Sequence, residues 1–172
     1  MNKKFFIYMA VVLAITLGIY AYVGGFSSVD ITKATSEQTF VVGRYYQGNP
    51  ESKELGERFT EVGQLVEKKQ LTGDFAGIYY NKPTKETKLL KAFIGVAVAD
   101  STVAVPQGFE LRVVPAGQPV LLGKSEASVM LAPKLIYEAL FDYAEEHKLA
   151  LQEFYVERFP EGKPAQIQVF LK

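Results

Sequence analysis

The sequence lacks cysteine and tryptophan and contains a single histidine, His147. Without cysteine the chain has no disulfide bonds, no cysteine-ligated zinc and no thiol catalysis. One histidine excludes a site built from several histidines, and its position at a predicted helix end indicates a structural role. An excess of positive charge is also missing, because Lys and Arg number 19 and Asp and Glu number 19. A nucleic-acid partner is therefore not expected, and neither is a metal or a cofactor.

The common catalytic motifs are absent as well. The sequence has no GxSxG, no glycine-rich phosphate loop and no HExxH. Paired carboxylates remain chemically possible, but a chain with 19 acidic residues always offers such pairs, so they have no specificity. We assign no catalytic residue, and we expect a binding protein rather than an enzyme.

One long apolar run stands near the amino terminus. The 19 residues Phe5–Val23 carry no charge, and as a helix they would extend roughly 28 Å, close to the thickness of a bilayer's hydrocarbon core. Lys3 and Lys4 precede the run, and Tyr20 and Tyr22 lie near its far end, where aromatic rings favour the interface. This pattern predicts a retained membrane anchor that contacts the lipid bilayer through residues 5–23. The alternatives are a cleaved secretory signal, although the run is long and lacks a small-residue cleavage site, and a buried soluble helix.

The charge pattern predicts an orientation and two segments. The positive residues before the run favour a cytoplasmic amino terminus and a body on the outside, periplasmic or extracellular. Residues 1–26 form the predicted anchor. Residues 27–172 form one domain with 17 basic and 19 acidic residues, a net charge of −2, and their length is enough for one core.

Strand and helix patterns alternate along this domain, which predicts an α+β fold. Helices are predicted over about 51–69 and 132–148. The predicted strands are Val29–Ala34, Phe40–Tyr46, Phe75–Tyr80, Lys91–Val98, Phe109–Val114, Val120–Lys124, Leu151–Phe159 and Ala165–Leu171.

The domain repeats itself. VVGR at Val41–Arg44 is similar to LLGK at Leu121–Lys124, and EKKQL at Glu67–Leu71 is similar to EEHKL at Glu145–Leu149, with an offset of about 78–80 residues. Each copy continues as a helix followed by two strands. Two such strand–helix–strand–strand units would bury their apolar faces together and leave a seam between them, where small-molecule pockets are common.

The strand Leu151–Phe159 carries the most informative side chains. Its alternation places Tyr155, Glu157 and Phe159 on one face and Phe154 and Arg158 on the other, and either face can point inward. A carboxylate between two rings suits a cation, because charge and ring quadrupole attract it together. In such a cleft its pKa would rise. The alternative is an exposed acid paired with a cross-strand lysine.

Three segments resemble the gyrase-inhibitor-like (GyrI-like) effector-binding family: RVVPAGQPVLLGK at Arg112–Lys124, VERF at Val156–Phe159 and GIYYNKP at Gly77–Pro83. The resemblance spans most of residues 29–172 and implies two strand–helix–strand–strand repeats. The family includes drug-sensing domains of bacterial regulators, stand-alone small-molecule binders, a few hydrolases and a membrane-anchored endoplasmic-reticulum autophagy receptor with a similar layout. The segment KSEAS after Gly123 departs from the family's Gly-Pro-aromatic pattern.

The resemblance also implies site residues. It places Glu157 in the ligand cleft, with Phe159 as the aromatic of a Glu-x-aromatic pattern, and it matches Tyr80 to an aromatic residue of the first repeat. We expect Glu157, Tyr80, Tyr155, Phe159 and Tyr45 to bind an amphipathic, cationic or aromatic small molecule. A hydrolase that uses Glu157 with Tyr80 as a polar partner, and a protein-docking module at the membrane, are the alternatives. A transcription factor is not expected, because the predicted anchor takes the place of a DNA-binding domain.

Overall fold

The computed structural model describes residues 3–84 and 86–172, so the first two residues of the predicted anchor lie outside it. The described residues form three helices and eight strands. The helices are α1 (Lys3–Tyr22), α2 (Lys53–Glu67) and α3 (Ala132–Glu146). The strands are β1 (Val29–Thr35), β2 (Thr39–Gly48), β3 (Asp74–Tyr79), β4 (Leu90–Val98), β5 (Glu110–Val114), β6 (Pro119–Ser125), β7 (Leu151–Phe159) and β8 (Ala165–Leu171). The predicted α+β class is confirmed, and each predicted element is present with its ends shifted by a few residues.

All eight strands form one antiparallel sheet in the order β1-β6-β8-β7-β3-β4-β2-β5. If β1 is exchanged with β5, β2 with β6, β3 with β7 and β4 with β8, the same order is obtained from the opposite edge of the sheet. The axis of the duplication passes between β3 and β7, where Gly77 pairs with Glu157, its own counterpart at an offset of 80 residues. Both α2 and α3 are followed by a lysine in the left-handed region, Lys69 with φ 56° and Lys148 with φ 53°. The predicted duplication is therefore visible in the backbone as well as in the sequence.

Helices α2 and α3 each pack on one half of the sheet. Ser52 caps α2 by accepting a hydrogen bond from the Leu55 amide at 3.2 Å, and α2 packs on β2 and β4. Helix α3 packs on β6, β8 and β1. It lies close to β6 because Gly123 has no side chain there; a Cβ at that position would come within 2.5 Å of the Ile136 side chain. The two central strands, β3 and β7, are thereby left between the helices as the floor of a furrow.

The opposite face of the sheet carries no helix of the described residues, and we call it the open face. Its buried side chains form a separate apolar cluster: Val41, Ala76, Ile78, Phe93, Ala97, Val114, Val120, Val156 and Phe170. These residues are shielded because the sheet curls. Strand β5 at one edge continues within four residues into β6, which pairs with β1 at the other edge.

The connection from β1 to β2 and the connection from β5 to β6 are joined by hydrogen bonds at Ser36. Ser36, just after β1, is 3 % exposed and makes four hydrogen bonds to the turn after β5. Its Oγ donates to the Pro115 carbonyl at 2.7 Å and accepts from the Gln118 amide at 3.0 Å. Its backbone amide donates to the Gln118 carbonyl at 2.8 Å and its carbonyl accepts from the Gly117 amide at 2.9 Å. A single serine thus holds the curled sheet closed at one end.

We expect Ser36→Ala to lower the free energy of unfolding by about 1–3 kcal/mol, because it removes two part-buried hydrogen bonds, one to the Pro115 carbonyl and one from the Gln118 amide. Urea denaturation followed by circular dichroism measures the loss. Ser101→Ala, at an exposed serine, is the matched control and should change the free energy of unfolding by less than about 0.5 kcal/mol. Equal effects of the two substitutions would contradict the role given to Ser36.

Helix α1 stands apart from this core. None of its 20 residues is buried, and its length and apolar composition are sufficient to cross a bilayer. At its end the Val23 carbonyl accepts a hydrogen bond from the Ser128 amide at 3.0 Å. Gly24, with φ 81°, lies so near Ala127 that a Cβ would come within 2.7 Å of the Ala127 Cα. The exit of α1 is therefore held against the loop between β6 and α3.

Candidate functional site

The furrow between α2 and α3 contains one buried acid. Glu157 lies on β7, on the helical face of the sheet, and is 6 % exposed. Its cross-strand partner Gly77 has no side chain, and the ring of Tyr79 lies over that gap, since a Cβ at residue 77 would be 2.9 Å from a ring carbon of Tyr79. The carboxylate therefore sits at the duplication axis with a phenol folded towards it.

Two phenols face the carboxylate. The Tyr79 hydroxyl donates a hydrogen bond to Glu157 Oε2 at 3.2 Å. The Tyr137 hydroxyl, from α3, is buried near the same carboxylate but has no hydrogen-bond partner with good geometry among the described residues. A buried polar atom without a partner is uncommon in a folded protein. The site thus holds two phenols, Tyr79 and Tyr137, beside one acid.

Burial decides the protonation state of these groups. Removal from water raises the pKa of Glu157 to about 7, and the phenols of Tyr137 and Tyr79 limit the rise. Burial and the neighbouring carboxylate raise the pKa of Tyr79 and of Tyr137 well above its usual value, so both phenols keep their protons. Near neutral pH the acid is divided between its charged and neutral forms, and no described cation lies close enough to pair with it.

Aromatic rings surround the acid on the α3 side. Tyr137 and Phe141 stack with ring centroids 5.6 Å apart, and Tyr155 meets both rings edge-on at 6.0 and 6.1 Å. The ammonium group of Lys82 lies over the outer ring of this set, 3.9 Å from the centroid of Phe141. A cation therefore already rests on the aromatic stack, in the geometry of a cation–π contact.

The α2 side of the furrow is more open. Phe59 of α2 stacks on Phe75 of β3 at 5.6 Å, and Phe75 pairs across the sheet with Phe159. All three rings are partly exposed. Rings cover the Glu157 carboxylate, so a ligand would have to displace some of them to reach it. The three phenylalanines are less buried than the tyrosines around the acid, so moving them would expose less buried surface.

The structure divides the predicted site residues between two faces. Glu157, Tyr155 and Phe159 lie together in the furrow. Tyr80 and Tyr45 lie on the open face, where their rings are 6.2 Å apart. The sequence reasoning omitted Tyr79 and Tyr137, which approach the acid most closely. Alternation places Tyr79 on the same face of β3 as Gly77, but only the pairing of Gly77 with Glu157 brings Tyr79 to the acid; Tyr137 has no comparable signal.

The described residues contain no group of three or more His, Asp or Glu side chains arranged to hold a metal ion. The chemistry that the furrow offers is therefore that of one buried carboxylate, two protonated phenols and several ring faces. This set can bind a positive charge attached to an apolar body.

Comparisons with known proteins place the fold. No protein-family model and no curated protein matches the chain. Among solved structures, an integron cassette protein from the mobile metagenome of Vibrio cholerae is similar, with a TM-score of 0.64 at 11% identity over 83% of this chain and 95% of that one. SAV2435, solved with bound tetraphenylphosphonium, has a TM-score of 0.60 at 10% identity over 83% and 94%. The EcmrR C-terminal domain has a TM-score of 0.53 at 13% identity over 85% and 98%. These likenesses confirm the fold and agree with the architecture that the GyrI-like resemblance implies.

Proposed function

We propose that residues 27–172 form a binding domain for a lipophilic cation, held at a membrane by α1. The observation that carries the proposal is the buried Glu157 carboxylate, enclosed by Tyr79, Tyr137 and Tyr155 at the junction of the two repeats. A charged carboxylate in this position is costly unless a positive partner arrives. A cation with an apolar body supplies that partner and uses the ring faces as well.

Two further observations support the ligand class. The Lys82 ammonium group lies over the Phe141 ring at the outer side of the furrow, which supports a site for a positive charge on these rings. The similar protein SAV2435 was solved with tetraphenylphosphonium, a lipophilic cation. The proposed site consists of Glu157, Tyr155, Phe159, Tyr79 and Tyr137. We propose the side with Phe59 and Phe75 as its entrance.

Binding fits this arrangement better than hydrolysis does. Tyr80, the partner that the hydrolase alternative requires, lies on the other face of the sheet. The phenols that do reach Glu157 have a pKa raised well above the usual value, so they are poor proton donors and cannot act as bases near neutral pH. The carboxylate is also shielded from the water that it would activate.

Titration of the full chain in lipid nanodiscs with tetraphenylphosphonium tests the site. At pH 8 we expect saturable binding to the parent protein and a loss of more than about tenfold in affinity for Glu157→Gln, because the buried cation loses its counter-charge. Glu153→Gln removes the same charge from an exposed position on β7 and should leave the affinity unchanged. Binding that survives Glu157→Gln would contradict the proposal.

The surroundings of the α1 exit support the membrane part of the proposal. Tyr22 and Phe26 are exposed there, and so are Val129 and Met130 on the adjoining loop, with Met130 96 % exposed. The hydrogen bond from Ser128 to Val23 keeps this loop beside the end of α1. Apolar side chains gathered where a spanning helix leaves the bilayer suit the lipid interface. We propose that this end of the domain rests on the membrane, on the side away from the cytoplasm.

Charges in the middle of α1 test the anchor. The double substitution Val12→Glu and Leu13→Lys should prevent stable insertion, since each charge at a helix centre costs about 2.5–3.5 kcal/mol. Alkaline carbonate extraction of membranes should release the variant and retain the parent chain. Ser28→Lys, beyond the helix, is the control. An intact mass that lacks residues 1–26 in the membrane-purified protein would instead show a cleaved signal.

A further inference from the structure

The open face contains a cavity that the proposed function does not use. Its volume is about 480 Å³, and its walls come from β3, β5, β7 and β8 together with the turn at Pro115 and Gln118. The curl of the sheet brings these distant strands together. Its lining includes the side chains of Ile78, Tyr80, Arg112, Gln152, Phe154 and Phe170.

One wall of the cavity carries a fixed positive charge. Arg112 donates from Nη1 to the Tyr80 hydroxyl at 2.8 Å. Its guanidinium group lies over the ring of Phe93 at 4.2 Å and over that of Tyr45 at 5.2 Å. The side chain is still 30% exposed. The ring contacts orient the fork of donors, so an anion would meet a group whose conformational freedom is already restricted.

The rest of the cavity is apolar with amide edges. Tyr80 and Phe154 lie with ring centroids 5.8 Å apart, and Phe154 meets Phe170 edge-on at 4.8 Å. Ile78, Gln118 and Gln152 also line the cavity, and the Gln152 amide group donates a hydrogen bond to the Leu171 carbonyl. Ring faces next to one guanidinium group match a flat apolar acid, since stacking and a charge-assisted hydrogen bond can form together.

We propose that this cavity is a second ligand site, which binds an aromatic carboxylate with its acid group on Arg112 and its ring among Tyr80, Phe154 and Phe170. The two sites lie on opposite faces of one sheet and differ in sign: the furrow offers a carboxylate to a cation, and the cavity offers a guanidinium group to an anion. The second site therefore does not depend on the proposed function of the first.

Glu110 regulates access to the arginine. Its carboxylate lies 3.3 Å from Arg112 Nη2, and its side chain is 65% exposed. An exposed ion pair of this kind is weak. An incoming carboxylate would compete with Glu110 for the same donors, so removal of the Glu110 charge should strengthen anion binding rather than weaken it.

The probe is naphthoate, added to the full chain in lipid nanodiscs, with empty nanodiscs as the blank and binding measured by isothermal titration. We expect saturable binding that falls by more than about tenfold in Arg112→Gln, because the charge-assisted hydrogen bonds are lost. Gln118→Trp keeps Arg112 and fills the cavity from an exposed turn position, and it should also abolish binding. Glu110→Gln should raise the affinity by about two- to fivefold.

Glu157→Gln distinguishes ligand binding in the cavity from ligand binding in the furrow. It should leave naphthoate binding unchanged, whereas it weakens tetraphenylphosphonium binding if the furrow is the cation site. Absence of saturable naphthoate binding would overturn the second site, and so would binding that persists in both Arg112→Gln and Gln118→Trp. If Arg112→Gln fails to fold, the blocked variant Gln118→Trp and the gain in Glu110→Gln still decide the question.

Discussion

The affinity for tetraphenylphosphonium is expected to fall about 100-fold when the pH is lowered from 8 to 5. The pKa of Glu157 is about 7 in the furrow, so the carboxylate is mostly charged at pH 8 and is about one per cent charged at pH 5. Only the charged form attracts the cation. The affinity should therefore fall about fivefold between pH 7 and pH 6 and about ninefold between pH 6 and pH 5.

The groups that face Glu157 do not obscure this profile. Tyr79 and Tyr137 keep their protons over the whole range, because their pKa is raised well above its usual value. His147, the only histidine, stacks on Tyr143 at the exposed end of α3, with ring centroids 3.9 Å apart. The measurement is a series of isothermal titrations between pH 5 and pH 8, with His147→Gln as the control that keeps the profile.

Glu157→Gln should show a flat profile over the same range, at the affinity of the parent protein near pH 5. A parent affinity that is independent of pH would mean that the cation is held by ring faces alone and that Glu157 remains outside the site. A profile that disappears in His147→Gln would assign the titration to the histidine.

The elements of this fold follow from local pattern. The alternation of β-branched and aromatic residues predicts the strands, and the helical spacing of apolar residues predicts α2 and α3. The duplication is also visible in the sequence, because the similar segments Val41–Arg44 and Leu121–Lys124 differ by only one residue from the alignment that the sheet gives. In the sheet, Gly123 corresponds to Arg44 and not to Gly43. Arg44 pairs with Ile94 on β4, and Gly123 pairs with Ile167, the equivalent residue on β8.

The face on which each side chain lies is what the sequence could not predict. Alternation along a strand places side chains on two faces but does not say which face is which. The position of Tyr79 or Tyr80 next to the acid depends on the pairing of β3 with β7, which brings Tyr79 opposite Tyr155. Tyr80 then belongs to the open face. A site predicted as one cluster is therefore divided by the sheet.

The cavity of the open face is the least predictable feature, because it depends on pairing between distant parts of the chain. Strands β1 and β5 each pair with the other repeat, β1 with β6 and β5 with β2. The two connections must therefore cross, and the sheet curls where Ser36 fastens them. Arg112 reaches Tyr80 only because of this curl, and no local pattern in the sequence records it.

Stability should depend on pH with a sign opposite to that of most buried acids in ion pairs. We expect the parent protein to lose about 3 kcal/mol of unfolding free energy, relative to Glu157→Gln, between pH 4 and pH 8. The pKa of the acid rises from 4.5, its ordinary value, to about 7 on folding. The folded state therefore binds the proton more tightly than the unfolded state does.

The direction follows from this difference. Below pH 4.5 both states carry the proton and the acid costs nothing. Between pH 4.5 and pH 7 the unfolded state loses its proton first, so the stability falls by about 1.4 kcal/mol per pH unit. Above pH 7 the full cost is present. Urea denaturation of both proteins at several pH values measures it, and Glu153→Gln should show no such trend relative to the parent protein.

This cost links the stability of the domain to its proposed ligand. At pH 8 the Glu157 carboxylate is charged and lacks a described positive partner, and a bound cation would provide one. Tetraphenylphosphonium at 100 times its dissociation constant should therefore stabilise the parent protein by about 2.7 kcal/mol, while Glu157→Gln should gain far less at the same concentration. At pH 5 the parent protein and Glu157→Gln should respond alike. Equal stabilisation of the two proteins at pH 8 would show that the ligand does not use the buried charge, and a parent protein whose stability does not fall between pH 4 and pH 8 would show that the acid is not held away from water.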